Sequence, residues 1–77
     1  MNYDVLSTLF VGIDVSSLTN TVCAIDFQNN KLLDFDTKNN RIGAEYIAEA
    51  ITNCLVSNNL EYVVIALEAS MIFDDTI

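Results

Sequence analysis

The sequence has no histidine, no proline and no tryptophan, and among its 77 residues are only two glycines, two cysteines and three basic side chains. Without histidine, neither a Ser-His-Asp nor a Cys-His nucleophile system can be assembled from these residues. With Gly12 and Gly43 as the only glycines, there is no glycine-rich loop to cradle a phosphate. Cys23 and Cys54 form no C-x-x-C pair, so the zinc and thioredoxin spacings are missing and two reduced, buried thiols are expected. No apolar run approaches the roughly eighteen residues that cross a bilayer, and the opening MNYDVLSTLF has no basic n-region. No membrane association and a cytoplasmic location are therefore expected.

Basic charge is scarce enough to bear on partners. Lys31, Lys38 and Arg41 face eleven acidic residues, for a formal charge of −8. A field of that sign repels nucleic acid and anionic lipid, so these residues alone are not expected to bind either. It does not oppose a hard divalent cation such as magnesium, which carboxylate oxygens hold.

What is present is apolar residue in regular patterns, 52% of the chain, enough for one small domain with a marginal core. From Leu9 to Val15, both alternating sets are largely apolar, as in a strand covered on both faces, with Asp14 the exception. Thr21 to Phe27 and Lys31 to Asp36 read as a second and third strand. Asn29-Asn30 between them fits a tight hairpin turn. Ile47, Ala50, Ile51, Cys54 and Leu55 then fall at steps of three and four, predicting an amphipathic helix over 42–57. Glu45 and Glu49 lie in its N-terminal half, on the side the helix dipole favours. Asn39 or Asn40 is its expected N-cap, and Asn58 or Asn59 its stop. Tyr62 to Ser70 reads as a buried strand, continuous through VVIAL and ending at Glu68. The predicted class is α/β, a three-stranded antiparallel meander followed by a helix and a parallel strand (β-β-β-α-β) reached by a right-handed crossover.

That topology brings the C-terminal ends of the first and last strands to one sheet edge, where open α/β sheets place ligands. Asp14 and Glu68 stand near those ends. By strand parity Asp14 shares a face with Gly12, and Glu68 shares one with Ala66 and Val64. Two carboxylates on adjacent strands repel each other unless a cation neutralises them, so a shared magnesium site at Asp14 and Glu68 is the leading reading. Tyr46 and Tyr62 are expected to pack with their hydroxyls at the surface, and Phe10, Phe27 and Phe35 to be core aromatics. Ser16, Ser17 and Ser70 are expected in turns or caps.

The strings VGIDVSS and VVIALEAS, with NNKLL and GAEYIAEAI between them, resemble the N-terminal part of DEDD-type transposases of bacterial insertion sequences. These carry a Holliday-junction-resolvase-like, ribonuclease-H-like nuclease domain. The likeness covers about residues 9 to 73. It implies a partial ribonuclease-H-like fold, with residues 1–77 a single truncated N-terminal part of the nuclease domain. Asp14 would be the first D and Glu68 the E of the catalytic, magnesium-binding set. Family members cleave DNA strands with magnesium, carry a serine in a C-terminal domain, and in some cases are directed by a structured guide RNA. The sequence departs from the pattern at Ser17, where lysine is common, and at Asp74 after Phe73, where glycine is common. Positions matching the last two aspartates are not among the 77 residues, and neither Asp74 nor Asp75 replaces them. The resemblance therefore implies a fragment inactive by itself, whose open sheet edges favour homo-oligomers. Two other readings remain open on the residues alone: the N-terminal piece of an actin-like sugar kinase or ATPase, and a small non-catalytic interaction domain.

Overall fold

The structure is a computed structural model, and it describes residues 4–69. Ser70, Phe73, Asp74 and Asp75, which entered the sequence reading, lie outside them. A single 3-10 turn (Val5–Ser7) leads into β1 (Thr8–Val15), β2 (Thr19–Ile25), β3 (Lys31–Lys38), α1 (Arg41–Ser57) and β4 (Tyr62–Ala69). The strands form one mixed sheet in the order β3-β2-β1-β4, antiparallel except for the parallel β1-β4 pair. The fold is α/β with the expected β-β-β-α-β order.

The two hairpins are set by local side-chain chemistry. Between β1 and β2, the N–H and hydroxyl of Ser16 both donate to the Thr19 carbonyl at 2.8 Å, and Ser16 Oγ accepts the Thr19 N–H at 3.0 Å. This turn, of the kind serine side chains favour, starts β2 at Thr19, two residues before the position expected. Between β2 and β3, the Asp26 carboxylate accepts the N–H of Gln28 (2.8 Å), the N–H of Asn30 (2.9 Å) and the Asn30 amide Nδ2 (2.9 Å). Within this connection only Asn29 takes a positive φ, 67°. The connection is thus a turn over Phe27 and Gln28 followed by a left-handed residue, not a two-residue turn at Asn29-Asn30. Phe27 consequently sits at the tip, 52% exposed, and is not a core aromatic.

Helix α1 begins at Asn40, whose side chain accepts the Gly43 N–H at 2.8 Å. Its end is a Schellman motif: Asn59 takes φ 55°, the Asn59 N–H reaches the Val56 carbonyl (3.3 Å) and the Leu60 N–H reaches the Leu55 carbonyl (2.9 Å). The first turn carries no acidic residue. Glu45 lies just beyond it and meets Arg41 at 3.9 Å, an exposed contact outside the dipole's short reach.

The core lies between α1 and one face of the sheet: Leu9, Val11, Val22 and Ala24 meet Ile47, Ile51 and Cys54. Asn20 is buried among them, and its Nδ2 donates to Thr37 Oγ1 (3.2 Å) and the Lys38 carbonyl (3.4 Å). Phe35 stacks edge-on against Tyr46, ring centroids 5.2 Å apart, and Tyr46 itself is exposed. The expectation of strands covered on both faces is corrected here. Among the described residues only α1 covers the sheet, so the face carrying Phe10, Gly12 and Asp14 is open and every residue of β4 is exposed. Alternation in which both sets are apolar reports what the two faces prefer, not what covers them. The described helix is not long and apolar enough to cross a membrane.

Candidate metal centre

Asp14 occupies the open face because β1 alternates strictly: Leu9, Val11 and Ile13 turn toward α1, and Phe10, Gly12 and Asp14 turn away. An ionisable residue inside an apolar run is thereby tolerated, because its side chain stands on the uncovered side and keeps contact with water. On β4 the same parity applies. The parallel pairing sets Gly12 against Ala66, Asp14 against Glu68 and Val15 against Ala69. Both carboxylates therefore project from one face of neighbouring strands, about 4.8 Å apart in the hydrogen-bonding direction and one residue from the strand ends. Both residues are exposed.

Below the two acids the sheet surface is low. Gly12, Cys23 and Ala66 floor an open groove of ≈ 530 Å³ whose rim is Asp14, Thr21 and Glu68. A Cβ built on Gly12 would meet nothing closer than the Cys23 carbonyl oxygen at 3.9 Å, ordinary contact. Glycine is thus not demanded there by crowding; what it contributes is empty space beside the acids.

Pairing with β2 and β3 extends the row. Asp14 opposes Thr21, and Thr21 opposes Asp36. Sequence reading did not single out Thr21 or Asp36, because their alignment with Asp14 depends on where the Ser16 turn starts β2. Asp36 lies two strands from Asp14, roughly 10 Å away, too far to share an ion with it. The loop following Asp14 is tied down from a distant element: Asn39 Nδ2 donates to the Ser16 carbonyl (2.7 Å), and the Asn39 N–H donates to the Leu18 carbonyl (2.9 Å). Ser16 is accordingly a turn residue, as expected.

The donor chemistry suits a hard cation: two carboxylates on rigid strands, with a groove able to admit water or further oxygen ligands. Among the described residues no group of three or more His, Cys, Asp or Glu side chains comes together as a metal-binding cluster. The structure therefore brings Asp14 and Glu68 together as a pair. Of the three basic residues, Lys31 pairs with Asp34 at 3.2 Å and Arg41 with Glu45, both exposed contacts. Cys54, buried on the inner face of α1, has its thiol pKa pushed up by burial, while Cys23 is half-buried on the open face. Both cysteines are free. No protein-family model matches the chain, and no curated protein sequence does.

Proposed function

We propose that this chain is the N-terminal part of the ribonuclease-H-like nuclease domain of a DEDD-type insertion-sequence transposase, a cytoplasmic DNA recombinase, and that Asp14 and Glu68 together bind magnesium. The observation that carries the reading is the direct parallel pairing of Asp14 with Glu68 on one face at the C-terminal ends of β1 and β4. Strand ends at one edge of an open α/β sheet are where such folds place their ligands. The likeness of VGIDVSS and VVIALEAS to the family adds the assignment of these two acids as the first D and the E of the four-acid set.

Within this proposal Asp14 and Glu68 act as rigid oxygen donors, and Gly12 and Ala66 keep the space beside them clear for a phosphate oxygen or water. Magnesium bound there would activate a nucleophile and stabilise the leaving oxygen in DNA strand cleavage. The 77 residues supply two of the four acids, so DNA cleavage is proposed to need the remaining two, and DNA and any guide RNA are proposed as partners of the whole transposase. The charge of −8 is consistent with that division, since these residues by themselves repel a polyanion.

Titration of the purified chain with Mg²⁺, and with Mn²⁺ followed by electron paramagnetic resonance, tests the site. Binding abolished in both Asp14→Asn and Glu68→Gln, and retained in Asp36→Asn, is the expected result. Binding that appears only with ATP would favour the actin-like kinase reading instead. Indifference of the wild-type chain to both ions would remove the metal site and leave an interaction domain.

A further inference from the structure

The groove over Gly12, Cys23 and Ala66 is rimmed by Asp14, Thr21 and Glu68, and the proposed magnesium site uses only the two acids. Thr21 is the third. The β1-β2 register sets it directly opposite Asp14, so the two side chains rise from one face of neighbouring strands with Cβ atoms about 5 Å apart. Asp14 therefore stands between Glu68 on one side and Thr21 on the other. Thr21 is exposed, and its hydroxyl makes no hydrogen bond among the described residues. Its place beside Asp14 is set within β1 and β2 by the Ser16 turn, whatever follows Ala69 in the chain.

We propose that Thr21 is the positioning residue for Asp14: its hydroxyl donates to the carboxylate oxygen turned toward β2, which leaves the other oxygen turned toward Glu68 for the ion. This role rests on the magnesium site proposed above. Carboxylates that ligate a metal are themselves held by hydrogen bonds, and such a bond tightens only when the site is loaded. Reach defines the division of labour. The hydroxyl is one bond from Cβ and the Asp14 oxygens are two, so across about 5 Å the two groups come within hydrogen-bond distance. An ion shared with Glu68 lies on the far side of Asp14, beyond the short threonine side chain. Thr21 thus orients a ligand and is not one. The β-branch stiffens χ1, so little rotamer freedom is lost in presenting the hydroxyl. A carboxylate has about four acceptor sites, enough for the ion, Thr21 and another donor together. Asp36 also opposes Thr21, from β3, but it takes no part in the groove rim, whereas Thr21 does.

Mn²⁺ binding to the 77-residue chain, followed by electron paramagnetic resonance with Mg²⁺ as competitor, tests the role. Thr21→Val keeps the shape and the β-branch and removes only the hydroxyl. Its metal-free urea midpoint should not fall, while the Mn²⁺ dissociation constant should rise about tenfold or more. Thr21→Ser restores the hydroxyl and should bind as wild type does. In an Asp36→Asn background, Thr21→Val should weaken binding by the same factor. A wild-type chain that binds neither ion removes the metal site, and this role with it. Binding that Asp14→Asn abolishes and Thr21→Val leaves intact overturns the role of Thr21 alone. So does Thr21→Ser as weak as Thr21→Val, or an effect of Thr21→Val that vanishes with Asp36→Asn.

Discussion

The two glycines should respond differently to the same substitution, and the pair of variants probes how α1 and the acid groove are built. At Gly43, an added Cβ would collide with the Lys38 carbonyl oxygen, and it would also stand 3.0 Å from Thr37 Oγ1 and 3.1 Å from the Lys38 carbonyl carbon. The obstacle is backbone, so the first turn of α1 must move bodily away from the end of β3. Alanine gains about 1 kcal/mol in helix propensity over glycine. Against that, overpacking costs about 1–3 kcal/mol, and a displaced first turn weakens the Asn40 cap, worth about 1 kcal/mol. Gly43→Ala should therefore destabilise by about 2 kcal/mol, a fall in melting temperature on the order of 10 °C for a domain of this size. Gly12→Ala meets only ordinary contact and should leave stability unchanged or raise it by about 0.5 kcal/mol. Urea denaturation followed by circular dichroism reads both. A Gly43→Ala chain as stable as wild type would refute the close helix-strand approach. Gly12→Leu extends the comparison: it should fill the groove and abolish metal binding while the urea midpoint holds.

Hydrogen bonds from Asn30, from its side chain first and then its backbone, lower the Asp26 pKa below its usual value, with a smaller contribution from Gln28. A depressed carboxylate pKa contributes stability above the unfolded value that is lost as pH falls through the folded one, so the β2-β3 turn should loosen only in acid. Amide exchange at Asn30 should accelerate below the ordinary aspartate range, and Asp26→Asn should show weaker pH dependence there. Thiol reactivity should separate the cysteines: Cys23 on the open face reacts readily with a disulfide reagent at mildly alkaline pH, whereas Cys54, buried and with its pKa raised, reacts only when the chain unfolds. Equal rates in the native protein would contradict the packing of the Cys54 face of α1 against the sheet.

Much of this architecture could be read before the structure because its determinants are local. Ile47, Ile51 and Cys54 repeat at helical spacing and do face the core. Asn40 and Asn59, drawn from pairs that suggested boundaries, sit at the N-cap and at the left-handed C-terminal position. The alternation that put Asp14 and Glu68 on common faces follows from strand parity, and the β1-β4 register then sets them side by side. What escaped is what depends on distant partners. Asn20 looks like a surface residue, but Thr37 and Lys38 satisfy its amide in the interior. Phe27 looks like core, but Asp26 draws three donors around itself and lifts Phe27 out at the turn. The open face escaped for a third reason: Phe10, Ile25 and Val64 are apolar whether or not anything lies over them.

Strand β4 is apolar on both sides, so burial alone distinguishes poorly between its possible alignments with β1. Its phase is set upstream, where the Asn59 cap turns the chain out of α1 and the Glu61 N–H locks onto the Ser7 carbonyl at 2.8 Å. Adding or deleting one residue between Asn58 and Glu61 would slide the strand by one step and throw the Glu68 carboxylate to the helix side, away from Asp14. A surface connection that would elsewhere absorb a change in length at little thermodynamic cost thus acts as the ruler that measures out where the two acids meet.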